Sequence, residues 1–204
     1  MMLRYSFLVL FCLATLINRS QTDSVPDRLT WDKSKKNSKE LIKLLTDPLD
    51  LQVFKKLKPM HSNSGGGGKK SYYYRPAQKG FYYSYFFFPP FGEHGPRITT
   101  FQKDSNMSGY MDTAEVFILL TCDAKDKDLG KMNLVGSALP ELMKKLGDNY
   151  LKSADTLVYQ YKNVLLILSG ETYVKWFKVV RLNKPFKNFD EISKAEDLIS
   201  YFKY

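Results

Sequence analysis

The feature that most restricts this chain is the brevity of two connections in its C-terminal half. Residues 157–161, 164–168 and 172–182 are rich in apolar, β-branched and aromatic side chains, joined by Lys162-Asn163 and by Ser169-Gly170 with Glu171. Parallel strands need a crossover of a dozen or more residues, so links this short predict an antiparallel meander. In the last segment Val174, Trp176, Val180 and Leu182 share one face, interrupted by Lys178, and that face is expected to look into the core.

The surroundings of the meander read as follows. Residues 114–122 have the composition of a strand covered on both faces. A charged loop over 123–131 leads to a helix over about 137–146, closed by Gly147 where helices commonly stop. Asn188 with Glu191 three residues on makes a capping box, and Ile192, Ala195, Leu198, Ile199 and Phe202 recur at helical spacing. Near the other end Ser38 caps a helix running through Leu45. Asp47-Pro48 starts a second, in which Leu49, Val53 and Leu57 share a face with Phe54 beside them. The predicted fold class is α+β: an antiparallel β-meander sheet packed by a C-terminal amphipathic helix, with a short N-terminal helical pair. No internal repeat marks a solenoid or propeller.

Arg4 precedes a run of apolar residues, 7–17, that stops at Asn18-Arg19-Ser20. This is the pattern of a signal peptide, and the run is shorter than the roughly 20 residues a membrane-spanning helix needs. The expected organisation is a signal peptide over 1–20, a flexible polar arm over 21–37, the helical pair over 38–58 and a Gly/Ser-rich linker over 59–70. An aromatic-rich segment over 71–97 and an α+β globular domain over 98–204 complete it. No other segment reads as transmembrane, and the expected location is secreted, extracellular.

Export removes only Arg4 and Arg19 from a chain of net charge +10. A basic surface attracts anionic lipids, acidic polysaccharides and nucleic acid alike. Of these, nucleic acid is the least accessible outside the cell, so no specific nucleic acid is expected and an anionic surface stays among the partners. Cys12 leaves with the signal peptide, and the remaining Cys122 excludes an intramolecular disulfide and reads as a buried free thiol. Asn106-Met107-Ser108 is an N-x-S acceptor in a polar stretch, so glycosylation at Asn106 is expected.

The search for chemistry assigns no catalytic residue, no metal and no cofactor. His61 and His94 stand apart, with no H-E-x-x-H or C-x-x-C nearby. Counting Asp126 as the first position of a calcium loop puts Lys131 where the glycine belongs and Ser137 where the glutamate belongs. Gly65 to Ser71 has Asn63 in place of the first glycine of a phosphate loop and Lys70 in place of its hydroxyl residue.

What stands out is the run of rings: Tyr72, Tyr73 and Tyr74, then Tyr82, Tyr83, Tyr85 and Phe87, flanked by Lys69, Lys70, Arg75 and Lys79. One reading makes them strands that cover the rest of the domain. The other makes them an interaction surface, since prolines and glycines keep each strand short and alternate rings face outward. The function expected is that of a secreted non-enzymatic interaction or extracellular-matrix-associated protein, binding an unidentified protein, glycan or matrix component through this segment and the basic surface. A secreted carrier of an apolar small molecule is the alternative, and a hydrolase using scattered carboxylates comes third. On the leading reading, serine at Tyr82, Tyr83, Tyr85 and Phe87 abolishes binding and leaves the remainder from Ile98 folded.

Overall fold

The structure is a computed structural model that describes residues 28–57, 59–65, 72–75, 80–86, 95–103 and 115–200. The expected signal peptide, Phe87, the acceptor Asn106, Phe202 and residues 66–70 of the expected linker lie outside them.

Among the described residues eight strands form one antiparallel sheet: β1 (Met60–Gly65), β2 (Gly80–Phe86), β3 (Arg97–Lys103), β4 (Val116–Cys122), β5 (Tyr150–Ser153), β6 (Thr156–Tyr161), β7 (Val164–Ser169) and β8 (Trp176–Arg181). Their order is β1-β2-β3-β4-β8-β7-β6-β5. Two four-stranded meanders, β1 to β4 and β5 to β8, therefore meet where β4 pairs with β8, from Leu119 opposite Val180 to Cys122 opposite Phe177. The fold is α+β, with the meander sheet packed against helices that include the C-terminal ones, as the sequence predicts.

Both faces of the sheet are covered, so central strands alternate between two cores instead of between core and water. All of β7 is buried. Leu166 and Leu168 enter a first core with Tyr159, Phe177 and Val179, whereas Leu165 and Ile167 enter a second with Val158, Val180 and Leu182. Helices α1 (Lys39–Thr46), α2 (Leu51–Lys56) and α3 (Leu139–Leu146) supply Leu41, Leu45, Phe54 and Leu142 to the first core. Helices α4 (Phe189–Ser193) and α5 (Glu196–Ile199) supply Phe189, Ile192 and Leu198 to the second. Each such side chain is worth about 1.5–3 kcal/mol of burial.

Local differences from expectation have local causes. Ser38 caps α1 as expected, its hydroxyl accepting from Leu41 N–H at 3.0 Å. Helix α2 is capped by Asp50, not Asp47, through bonds from Gln52 and Val53 N–H. Phe54 is buried in the core and Leu49 packs against it, whereas Val53 and Leu57 of the expected face are 53% and 40% exposed. Strand β8 begins at Trp176 because residues 172–174 are committed elsewhere. Thr172 O accepts from Leu139 N–H, and Val174 bonds Gly136 and Ser137, fixing the start of α3. Gly170 makes this longer link feasible at φ 150°, since a Cβ there would stand 1.9 Å from Tyr173 O. The C-terminal helix is broken at Lys194-Ala195, and Glu191 Oε2 accepts from Lys187 N–H instead of closing the box on Asn188.

Residues 28–37 of the expected flexible arm are strapped to the sheet. Arg28 and Lys152 exchange two backbone hydrogen bonds of 3.1 and 3.0 Å, and Leu29 O accepts from Phe189 N–H. The Arg28 guanidinium lies 4.7 Å from the centre of the Tyr150 ring, and Lys35 pairs with Asp148. The strap satisfies backbone groups that an edge strand leaves open. At the other edge, β1 occupies the start of the stretch expected as linker.

Cys122 is a free, buried thiol whose Sγ donates to Ala124 O at 2.9 Å, and burial pushes its pKa up to about 12. Lys178 is the more unusual buried group, 2% exposed on the second-core face of β8. Its ammonium donates to the carbonyls of Asp197 and Ser200, at the end of α5, where a helix leaves carbonyls unpaired. Burial lowers its pKa to about 8. The folded chain thus gives up this proton at lower pH than the unfolded chain, whose lysine titrates near its ordinary value of 10.5, so this group adds stability as pH rises from about 8 to 10.5. Cys122 acts in the opposite direction above its ordinary value of 9. Comparison with Lys178→Met cancels that contribution: between about pH 7 and pH 9 the native chain is expected to gain roughly 1 kcal/mol of unfolding free energy relative to the variant. Urea titrations at the two pH values measure it, and a pH-independent difference would mean that the ammonium is solvated.

Candidate functional site

Strand alternation decides where the rings go. Tyr82 faces the second core and Tyr85 the first, 2% and 0% exposed, while Tyr83 is half-buried against the first. Tyr82 meets Phe101 edge-on with centroids 5.3 Å apart. Tyr85 also donates to Glu115 Oε1 at 2.8 Å, and the same oxygen holds Lys55 Nζ at 2.5 Å. Thr100 Oγ1 donates to Glu115 Oε2 at 2.7 Å. This network ties α2, β2 and β3 to the start of β4 around a carboxylate whose side chain is 2% exposed. With both oxygens bonded, it is an internal brace.

A different arrangement forms at the end of β8. Residues 72–75 run antiparallel beside it: Tyr74 N–H donates to Arg181 O, Asn183 N–H to Tyr72 O, both at 3.0 Å, and Arg75 N–H to Asn183 Oδ1 at 2.9 Å. Tyr73 points inward, 5% exposed, and donates to Asp197 Oδ2 at 3.0 Å. Tyr72 and Tyr74 on either side of it stay half-exposed. The Arg181 guanidinium lies 5.8 Å from the Tyr74 ring centre, and the Tyr72 and Phe186 centroids are 6.4 Å apart. On the other flank of β8, Asn163 and Leu182 exchange bonds of 2.7 and 2.8 Å, which brings in the turn at Lys162. Lys162 Nζ lies 5.4 Å from the Tyr161 ring centre. The Gln160 side chain bonds the Phe186 backbone in both directions, at 3.0 and 2.9 Å.

One end of the sheet thus gathers half-exposed rings (Tyr72, Tyr74, Tyr161, Phe186) and the cations Arg75, Lys162, Arg181, Lys184 and Lys187. Lys162, Lys184 and Lys187 are exposed and make no ion pair among the described residues. Of the rings singled out in the sequence, Tyr72 and Tyr74 reach this rim, Tyr73, Tyr82 and Tyr85 enter the cores, and Tyr83 lies at the margin of one. The rim residues from 161 to 187 escaped sequence reasoning because pairing across 108 residues, as between Arg75 and Asn183, brings them there. The one available signal was the tight turn at Lys162-Asn163, which puts Lys162 at the same sheet end as the C-terminal residues of the last strand.

Elsewhere, an open concavity of about 210 Å³ lies between Pro48, Leu49 and Val53 on one side and Leu129 on the other, rimmed by Asp47, Asp50 and Asp128. Asp50 is already used as the α2 cap, and Asp47 pairs with Lys131 at 2.8 Å. Among the described residues no three potential metal ligands converge, and no helix is long and apolar enough to cross a membrane. Comparisons with protein-family models, with curated proteins and with solved structures find no match to this chain.

Proposed function

We propose that this chain is a secreted, non-enzymatic interaction protein that binds an extracellular protein, glycan or matrix component through the rings and cations at the end of β8. The observation that carries the reading is the contrast between this rim and the other polar clusters. Glu115 and Lys178 are buried and spend their hydrogen bonds holding elements together, whereas Lys162, Lys184 and Lys187 are exposed and form no ion pair among the described residues, at the end of the sheet that carries the half-exposed rings. Such a mixture of accessible apolar and charged groups suits recognition. The signal-type N-terminal sequence supports export, and on that reading the acceptor at Asn106 would be glycosylated.

The test is affinity capture from the native extracellular fluid with the mature chain and with Tyr74→Ser/Lys184→Glu. Loss of the captured partner from the variant, with an unchanged circular dichroism spectrum, is expected. A variant that captures the same partner equally well would remove the rim from the function.

A further inference from the structure

We infer that the ligand of this rim is an acidic polysaccharide, a linear chain of sugars bearing sulfate or carboxylate groups; the inference rests on the rim being the binding surface. Three antiparallel tracks lie side by side there: residues 72–75, the end of β8, and the turn at Lys162-Asn163. Neighbouring tracks are about 4.8 Å apart, so Arg75, Arg181 and Lys162 lie on tracks spanning on the order of 10 Å, and Lys184 and Lys187 extend the row in the loop that Gln160 holds at Phe186. A small anion would meet one or two of them. A linear polyanion meets several at once.

The rings favour sugars over other polyanions. The half-exposed Tyr74 and Tyr72 rings lie beside Arg181 and Phe186 respectively, so apolar surface and charge adjoin at this end of the sheet. Rings adjoining cations fit a chain whose apolar C–H faces alternate with charged substituents, and the terminal nitrogens of Arg181, whose Nε donates to Phe117 O, suit a sulfate or carboxylate. A membrane surface would ask for apolar side chains that protrude and insert, but these rings are half-sunk between hydrogen-bonded tracks. A folded protein partner would favour an apolar centre ringed by charges, whereas here cations lie directly against the rings, Arg181 on Tyr74 and Lys162 on Tyr161. The backbone and Asn163, Asn183 and Gln160 bonds fix the tracks before any ligand arrives, so little ordering is required on binding.

The experiment measures binding of the mature chain to heparin, to the same polymer after desulfation, and to vesicles containing phosphatidylserine, as a function of salt. Binding to heparin is expected, weakened by desulfation. In Lys162→Gln/Lys184→Gln/Lys187→Gln the slope of log affinity against log salt should become shallower by about 2 to 3, one for each lost contact. The control Lys125→Gln/Lys127→Gln/Lys144→Gln removes the same charge from exposed positions elsewhere and should bind like the native chain. Equal losses in both triple variants would show that overall charge does the binding, and would overturn the inference together with the rim as a site. No binding to heparin, while capture of a native partner stays sensitive to Tyr74→Ser/Lys184→Glu, would overturn the polysaccharide and leave the proposed function standing. Vesicle binding without heparin binding would assign the rim to lipid and overturn the inference.

Discussion

Serine at Tyr82 or at Tyr85 is expected to destabilise the fold by about 3–5 kcal/mol in each case, and the two together to unfold it. Each ring is at most 2% exposed, and they lie on opposite faces of β2, so one variant opens a cavity in the second core and the other in the first. Tyr85→Ser also takes one donor from the buried Glu115 carboxylate. Denaturant titration of the single variants measures the effect, and a loss under about 1 kcal/mol would return the ring to the surface. This outcome replaces the expectation that the remainder from Ile98 folds without these rings. Strand β3 begins at Arg97 and takes β2 as its neighbour along its whole length, so removing β2's core side chains strips β3 of its packing.

Glu115→Met is expected to cost a further comparable amount, about 3–5 kcal/mol, because the Lys55 ammonium loses its carboxylate in a site where its side chain is only 11% exposed. The double variant Lys55→Met/Glu115→Met should recover most of that loss, since apolar side chains can replace a buried ion pair at little net cost. Thermal or urea unfolding of both variants decides it. A single variant as stable as the native chain would mean that water reaches the pair. A double variant as unstable as the single one would shift the importance to the Tyr85 and Thr100 hydroxyls, left with no acceptor at that place.

The fold was legible wherever one segment carried its own signal. The turn at Lys162-Asn163, the Ser38 cap, the Gly147 stop of α3 and the two-sided burial of β4 each follow from a few adjacent residues. Legibility failed where a side chain's fate depends on distant chain. Nothing near Arg28 says that it will pair with Lys152, and nothing near Lys55 says that it will meet Glu115, 60 residues on. Aromatic residues were the hardest to assign, because a ring suits a core and a contact surface equally. In Tyr72, Tyr73 and Tyr74 the choice alternates residue by residue once residues 72–75 lie against the end of β8. The candidate rim was half-legible for the same reason: Tyr72, Tyr74 and Arg75 were visible as a cluster, but Tyr161, Phe186 and its other cations arrive by long-range pairing.

The meeting of β4 with β8 has a kinetic consequence. Within each half of the sheet, β1 to β4 and β5 to β8, sequential strands pair with their chain neighbours, so each half can zip from its own turns. The join between them closes a long loop before any of its contacts forms, and loop-closure entropy opposes that step more than it opposes any turn. The halves are therefore the natural early units of folding, and the seam from Leu119 to Cys122 is the late one. Side chains along a late-forming seam control how fast the native state opens far more than how fast it forms. The life span of the folded molecule is then set at that seam.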